Sequence, residues 1–291
     1  MDTLAGFSTG GRGINMAETM AETLANYGIE VGEQSVGGFV AYIAQFDPQF
    51  PQRIQGATEE EINQLEETVR RSMRRPLPDD YKDFLRHLGN GRDRLVFAGE
   101  CSTDISSIST YYEIDNKYLD AGDAEDDDEE TDDPPEGCLV IGAFCASSDD
   151  VCLDLRVEGA APVVIMDNGE TLFYSDSLLQ LVYCRGYTAY RLRVLPQFKF
   201  FTDAMKPATR ESFERAVAWA SAAPWSRQWF SDSECLCVEG EGVAFCLTFG
   251  ERVGYTLHIG GAAGSNLEET VQAISQIIGV PLTESSVSDD E

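Results

Sequence analysis

Residues 56–91 read GATEEEINQLEETVRRSMRRPLPDDYKDFLRHLGNG, and this stretch decides the fold. Thr58 with Glu61 has the form of a capping box, which satisfies orphan N–H groups at a helix start. Ile62, Leu65, Val69 and Met73 then recur on one face at helical spacing. Pro76-Leu77-Pro78 ends that helix, because proline lacks an N–H and restricts the residue before it. Asp79 and Asp80 open a second helix at its positive dipole end. Tyr81, Phe84, Leu85 and Leu88 form its apolar stripe. Gly89-Asn90-Gly91 predicts a left-handed exit. The residues alone therefore give a helix pair with a proline elbow.

The order of these elements resembles the opening of the SUKH superfamily. The matching features are an acidic helix, Arg75-Pro76-Leu77-Pro78, the run Asp79-Asp80-Tyr81-Lys82-Asp83-Phe84-Leu85, and then Gly89-Asn90-Gly91. Most members end this helix in an Asn-Gly-Gly-like turn, so Gly-Asn-Gly is a small departure. Further on, Ser148-Asp149-Asp150 and Leu153-Asp154-Leu155 are similar to the family's strand pattern. The resemblance spans roughly residues 38–195. None of its motifs is catalytic. The superfamily groups bacterial immunity proteins with a eukaryotic cell-wall regulator, so the resemblance implies a protein-binding role.

Composition bounds that role. The chain has 291 residues, of which 43% are hydrophobic, enough for one large domain or two modest ones. Its 21 Lys and Arg against 51 Asp and Glu give a formal charge of −30. Such a balance argues against nucleic acid and against an anionic membrane surface, both of which need clustered cations. A basic protein partner would suit it, while the plainer reading is that acidic proteins stay soluble. Met1 to Gly13 lacks a basic segment followed by an apolar one, so no signal peptide is expected. No apolar run is long enough to span a bilayer. The eight cysteines show no paired Cys-x-x-Cys spacing, and several sit in apolar runs as small hydrophobes, which suits a reducing cytoplasm.

Along the chain, residues 1–35 read as a tail with a short helix over Ala17 to Tyr27. Val36 to Phe46 predicts a packed helix, with Phe39, Val40, Ile43 and Phe46 at helical spacing. Leu95 to Phe97 is a short strand candidate, and Asp104 to Tyr112 a helix. Between residues 120 and 136 lie eleven acids and no base, which predicts a solvated loop. Taking those eleven from −30 still leaves −19, so the rest of the chain is acidic too. Strands follow at Cys138–Phe144, Asp150–Leu155 and Pro162–Asp167. Asn168-Gly169 is a hairpin signal, and Thr171 to Tyr174 is the pairing segment. A helix over Asp176 to Tyr183 closes the domain. After Pro196 the pattern predicts a helix over Ala208 to Ala220, three strands (Cys235–Glu239, Val243–Phe249, Val253–Ile259), a helix over Leu267 to Ile278, and a polar tail. The expected fold is α+β: a SUKH-like domain over 36–195, with helices on a mainly antiparallel sheet, and an α-β-β-β-α accessory lobe over 196–291.

Several constellations could carry chemistry, each with a plain alternative. His87 with Asp83 could do acid–base work, or be an ordinary helix pair. Asp149, Asp150 and Asp154 could offer oxygen ligands to a divalent cation, or cap turns and face solvent. Gly260 to Gly264 sits where a phosphate loop would, but lacks the following Lys; Ser265 with Glu268 reads as a capping box instead. Cys235-x-Cys237 places two thiols on one strand face, for a soft metal, a redox pair or simple core packing; no further ligand stands nearby in sequence, which favours packing. Arg70, Arg71, Arg74 and Arg75 sit where a helix C-terminus favours cations anyway.

The reading is a cytoplasmic protein that is not an enzyme, with no catalytic residue, cofactor or metal. The resemblance implies an immunity protein that binds a cognate polymorphic toxin. The charge suggests occlusion of a basic catalytic cleft, such as that of a nuclease or another enzyme acting on an anionic substrate. The candidate toxin-binding acids are Asp123, Glu125, Asp126, Asp127, Asp128, Glu129, Glu130, Asp132, Asp133, Asp149, Asp150 and Asp154. The alternative is an intracellular scaffold or regulatory binding module; an enzyme using the C-terminal lobe is a third, weaker class.

Overall fold

Helix α1 (Val36–Ala44) starts at Ser35, whose Oγ accepts from Gly38 N at 3.0 Å. A single turn, α2 (Phe50–Arg53), follows with Pro51 in its first turn. In this computed structural model, residues 34–97, 101–121, 136–144, 150–167, 170–203, 209–222, 225–250 and 254–285 are described. The predicted Ala17–Tyr27 helix and almost all of the acidic run lie outside them.

Thr58 opens α3 (Glu59–Met73) through a complete capping box. Glu61 N donates to Thr58 Oγ1 at 3.2 Å, and Thr58 N donates to Glu61 Oε2 at 2.7 Å. Ile62, Leu65 and Val69 are buried, with Met73 partly so. Helix α4 (Asp79–Leu88) buries Tyr81, Phe84, Leu85 and Leu88. Its exit differs from expectation, because Gly89 is right-handed at φ −67. Close approach of backbone, not handedness, explains the glycines there. A Cβ on Gly56 would fall 1.7 Å from Arg86 O, and one on Gly89 2.6 Å from Leu85 O. The left-handed residue is instead Arg74, which ends α3 at φ 55.

Leu95 to Phe97 is not a strand; Leu95 and Phe97 are buried in an irregular segment. Helix α5 (Ile105–Ala121) runs well past Tyr112 and packs on α3. Tyr112 Oη accepts from Val140 N at 2.8 Å, which ties α5 to the first sheet. That sheet is an antiparallel meander of β1 (Cys138–Gly142), β2 (Asp150–Asp154), β3 (Val163–Asp167) and β4 (Glu170–Ser175). Helix α6 (Leu178–Gly186), capped by Ser177, continues into a π-helix (Tyr187–Leu192). The chain is α+β, as its patterning implies.

Past Pro196 the sheet is twice as wide as the three predicted strands. Its order is β10 (Leu282–Ser285), β5 (Gln197–Asp203), β9 (Gly254–Gly261), β8 (Val243–Gly250), β7 (Cys235–Glu239), β6 (Ser226–Arg227), all antiparallel. The expected α-β-β-β-α order is thus corrected. QFKFFTD (β5) pairs with β9 over six residues, and the C-terminal segment supplies β10 rather than a frayed tail. Helices α7 (Arg210–Ala220) and α8 (Leu267–Ile278) cover one face. Alternation along β7 then splits two cores: Leu236 and Val238 pack under α7 and α8, while Cys235 and Cys237 join the core of the first sheet. Tyr187 Oη donates to Val238 O at 2.8 Å across that seam.

Among the described residues, six cysteines are free and buried: Cys138, Cys152, Cys184, Cys235, Cys237 and Cys246; Cys101 is disulfide-bonded. No helix among the described residues is long and apolar enough to cross a membrane.

Candidate functional site

Where the two sheets meet they enclose a cavity of about 700 Å³. Its walls come from β3 and β4 on one side and from β5, β7, β8 and β9 on the other. Leu181, Cys184, Arg185 and Thr188 reach it from α6 and the π-helix. Arg185 lies over the Tyr174 ring, 5.0 Å from its centroid. Arg210 pairs with Glu234 and lies 4.9 Å over Phe249. Asp232 is 5% exposed, and burial holds its carboxyl above the usual carboxylate range. It accepts from Ser175 Oγ at 2.5 Å, Cys235 N at 2.6 Å and Glu234 N at 2.9 Å. This carboxylate fixes the loop that delivers Cys235.

Cys184, Cys235 and Cys246 line one part of the cavity, and Cys237 lies beside them. Cys235 Sγ lies 3.7 Å from Cys237 Sγ and 3.3 Å from Cys246 Sγ, and Cys237 Sγ lies 3.9 Å from Cys184 Sγ. Cys184, Cys235 and Cys237 have their sulfurs mutually within 4.8 Å. Cys237 and Cys246 are cross-strand partners, and Cys246 in turn faces His258. Burial opposes ionisation of Cys184, but S–H donation from Cys235 and Cys237 outweighs it and lowers this thiol below its ordinary value. Donation to Cys184 pushes Cys235 up to about 11, and burial raises Cys237. Burial, with Arg185 and Arg193 nearby, pulls His258 down to about 3, so its imidazole is neutral across the physiological range. Its Nδ1 is buried and has no hydrogen-bond partner. The arrangement offers soft sulfur donors beside a neutral imidazole.

The structure extends the Cys235-x-Cys237 pair. Sequence order hid Cys184 and Cys246, because a helix and a neighbouring strand deliver them. The remaining constellations resolve into local structure. His87 Nδ1 sits 2.9 Å from Asp83 O, and Asp83 Oδ2 accepts from Val36 N at 3.0 Å, so this acid anchors α1. Gly260 belongs to β9, where a Cβ would come within 2.8 Å of Leu192 O and 2.7 Å of Leu195 Cδ1. The cap of α8 is Asn266, not Ser265, which donates to Gly242 O at 2.7 Å instead. Arg70 and Arg71 pair with Glu66 and Glu67 along α3. Arg75 Nη1 donates to Leu155 O at 2.7 Å.

Of the candidate toxin-binding acids, Asp123, Glu125, Asp126, Asp127, Asp128, Glu129, Glu130, Asp132, Asp133 and Asp149 lie outside the described residues. Asp150 and Asp154 stand at opposite ends of β2, about 13 Å apart at strand rise. Asp150 is half-buried. Asp154 is 9% exposed and accepts from Arg156 Nε and Nη2, both at 2.7 Å, and from Arg156 N at 3.0 Å. Its charge is spent on a turn, and Arg156 holds its carboxyl below the ordinary range. The two are therefore not one patch on an exposed strand face.

Residues 56–183 match the model of the SMI1 / KNR4 family (SUKH-1). The match runs from the start of α3 to within α6, through the first sheet. No curated protein and no solved structure matches the chain. The thiol cluster lies just beyond the matched segment, with Cys184 the next residue after it.

Proposed function

We propose that this chain, whose residues 56–183 belong to the SMI1 / KNR4 family (SUKH-1), is an immunity protein that binds a cognate polymorphic toxin and neutralises it. The family match carries the reading. The formal charge of −30 supports a particular mode, in which an acidic surface covers a basic catalytic cleft and keeps an anionic substrate out. A nuclease presents such a cleft. In this reading the acids between residues 120 and 136 speed encounter by long-range attraction, and with Asp149 and Asp150 they contact the toxin. Asp154 plays a local part, holding Arg156. The protein works in the cytoplasm of the producing cell and needs no catalysis of its own.

A pull-down of the tagged full chain from its source cells, with mass spectrometry of the co-eluting proteins, tests the reading. Recovery of a single toxin domain in stoichiometric amount is expected. Recovery of several housekeeping proteins and no toxin would favour a scaffold or regulatory module and count against immunity. The mode has its own test. The complex should weaken as ionic strength rises, since rim charges are screened beyond about 8 Å at physiological salt. Affinity indifferent to salt removes the electrostatic mode.

A further inference from the structure

We propose that Cys184, Cys235 and Cys237 form a zinc site that staples the C-terminal sheet to the end of helix α6. Geometry is the first support. A tetrahedral zinc with Zn–S bonds of about 2.3 Å needs sulfurs about 3.8 Å apart. Cys235 and Cys237 are 3.7 Å apart, Cys237 and Cys184 are 3.9 Å apart, and all three sulfurs lie within 4.8 Å of one another. Three thiols that merely fill a core have no reason to converge sulfur on sulfur, since apolar packing is non-directional.

The surroundings fit the charge of the site. Each thiol that binds gives up its proton, forming a Zn–S bond and releasing H⁺ to solvent, so three thiolates around Zn²⁺ carry a net charge of −1. Arg185 faces the cluster electrostatically, acting on Cys184, Cys235 and Cys246. Thr188 Oγ1 donates to Cys184 O at 3.2 Å. Cys184, Cys235 and Cys246 also line the cavity, which gives the ion a way in. Ligand delivery is rigid: Cys235 and Cys237 share one face of β7, Cys184 is on α6, and Ser231 Oγ accepts from Cys237 N at 2.9 Å. The site therefore joins a helix at the edge of the family domain to a sheet that lies outside it. Loss of the ion should loosen that seam.

Metal analysis of the full chain, purified under reducing conditions without chelator, tests the proposal. Inductively coupled plasma mass spectrometry should find about one zinc per chain. The double variant C184S/C237S should lose it, whereas C138S and C152S, buried thiols of the first sheet, should keep it. Because the double variant could fail to fold, cobalt(II) is titrated into chelator-stripped wild type as a second readout. The site predicts the intense visible bands of tetrahedral cobalt with thiolate charge transfer, saturating at one equivalent and erased by zinc. A folded, zinc-free chain that gives no cobalt spectrum overturns the proposal. So does zinc that persists in folded C184S/C237S, or another metal in its place.

Discussion

Replacing Gly186 by Ala tests how tightly α1 is docked on α6, and two opposing effects make the sign informative. Gly186 is buried at the end of α6. A Cβ there would lie 2.2 Å from Phe39 Cε2, 2.6 Å from Phe39 Cζ and 3.1 Å from Ile43 Cδ1. Phe39 is 0% exposed and is boxed edge-on by Phe50 at 5.9 Å and Tyr183 at 5.3 Å, so its ring cannot swing clear. Alanine is worth about 1 kcal/mol over glycine inside a helix. Overpacking a filled core costs about 1–3 kcal/mol, and an approach this close belongs at the upper end. The expected net effect of Gly186→Ala is a loss of about 1–2 kcal/mol. Urea unfolding read by tryptophan fluorescence measures it where it matters, since the Trp229 ring sits 4.7 Å from Tyr183 on α6. Phe39→Leu in the same background should recover part of the loss, so the double variant is more stable than the sum of its singles implies. A Gly186→Ala variant as stable as wild type, or more so, would refute the packing of α1 on α6 described above.

Thr58→Ala removes one half of the capping box and should cost about 1 kcal/mol, read by thermal unfolding; no change would mean the cap is not formed in solution. Asp93 gives a pH signature. Burial opposes its ionisation, but hydrogen bonds from Arg53 and Tyr190 outweigh this and hold the carboxyl below its ordinary range. A depressed folded-state value means stability that is present above the unfolded value of about 4 and lost as pH falls through the folded one. Asp93→Asn should therefore cost stability at neutral pH and progressively less below about pH 4, so that the two acid-unfolding curves converge; a gap unchanged with pH would exclude ionisation as the cause. Charge neutralisation of the acids between residues 120 and 136 should slow association with the toxin far more than it speeds dissociation, measured by surface plasmon resonance at two salt concentrations; an effect confined to dissociation would place those acids in a packed contact instead.

The helix pair was legible because its signals are local. Thr58 with Glu61, the proline elbow and the stripe Tyr81, Phe84, Leu85 and Leu88 each act within a few residues. The family resemblance followed from their order, and residues 56–183 match that family's model. Exits and edges were harder to read. Gly89 suggested a left-handed turn, but its purpose is contact with Ala57 and Leu85, which only tertiary structure reveals. QFKFFTD places Phe198, Phe200 and Phe201 without clean alternation, because one face meets α8's core and the other meets His258 and the cavity. The tail strand Leu282–Ser285 owes its order to backbone pairing with that hidden neighbour. The thiol cluster was half visible: period two put Cys235 and Cys237 on one face, but nothing local brings Cys184 or Cys246 to them.

The most direct test of the immunity reading is protection. The toxin domain captured with the chain is expressed from an inducible promoter in cells that do or do not also make the full chain, and survival is counted. Growth restored by the chain, in step with a one-to-one complex that salt weakens, is the predicted result. Cells killed equally with and without the chain, despite a complex, would contradict neutralisation.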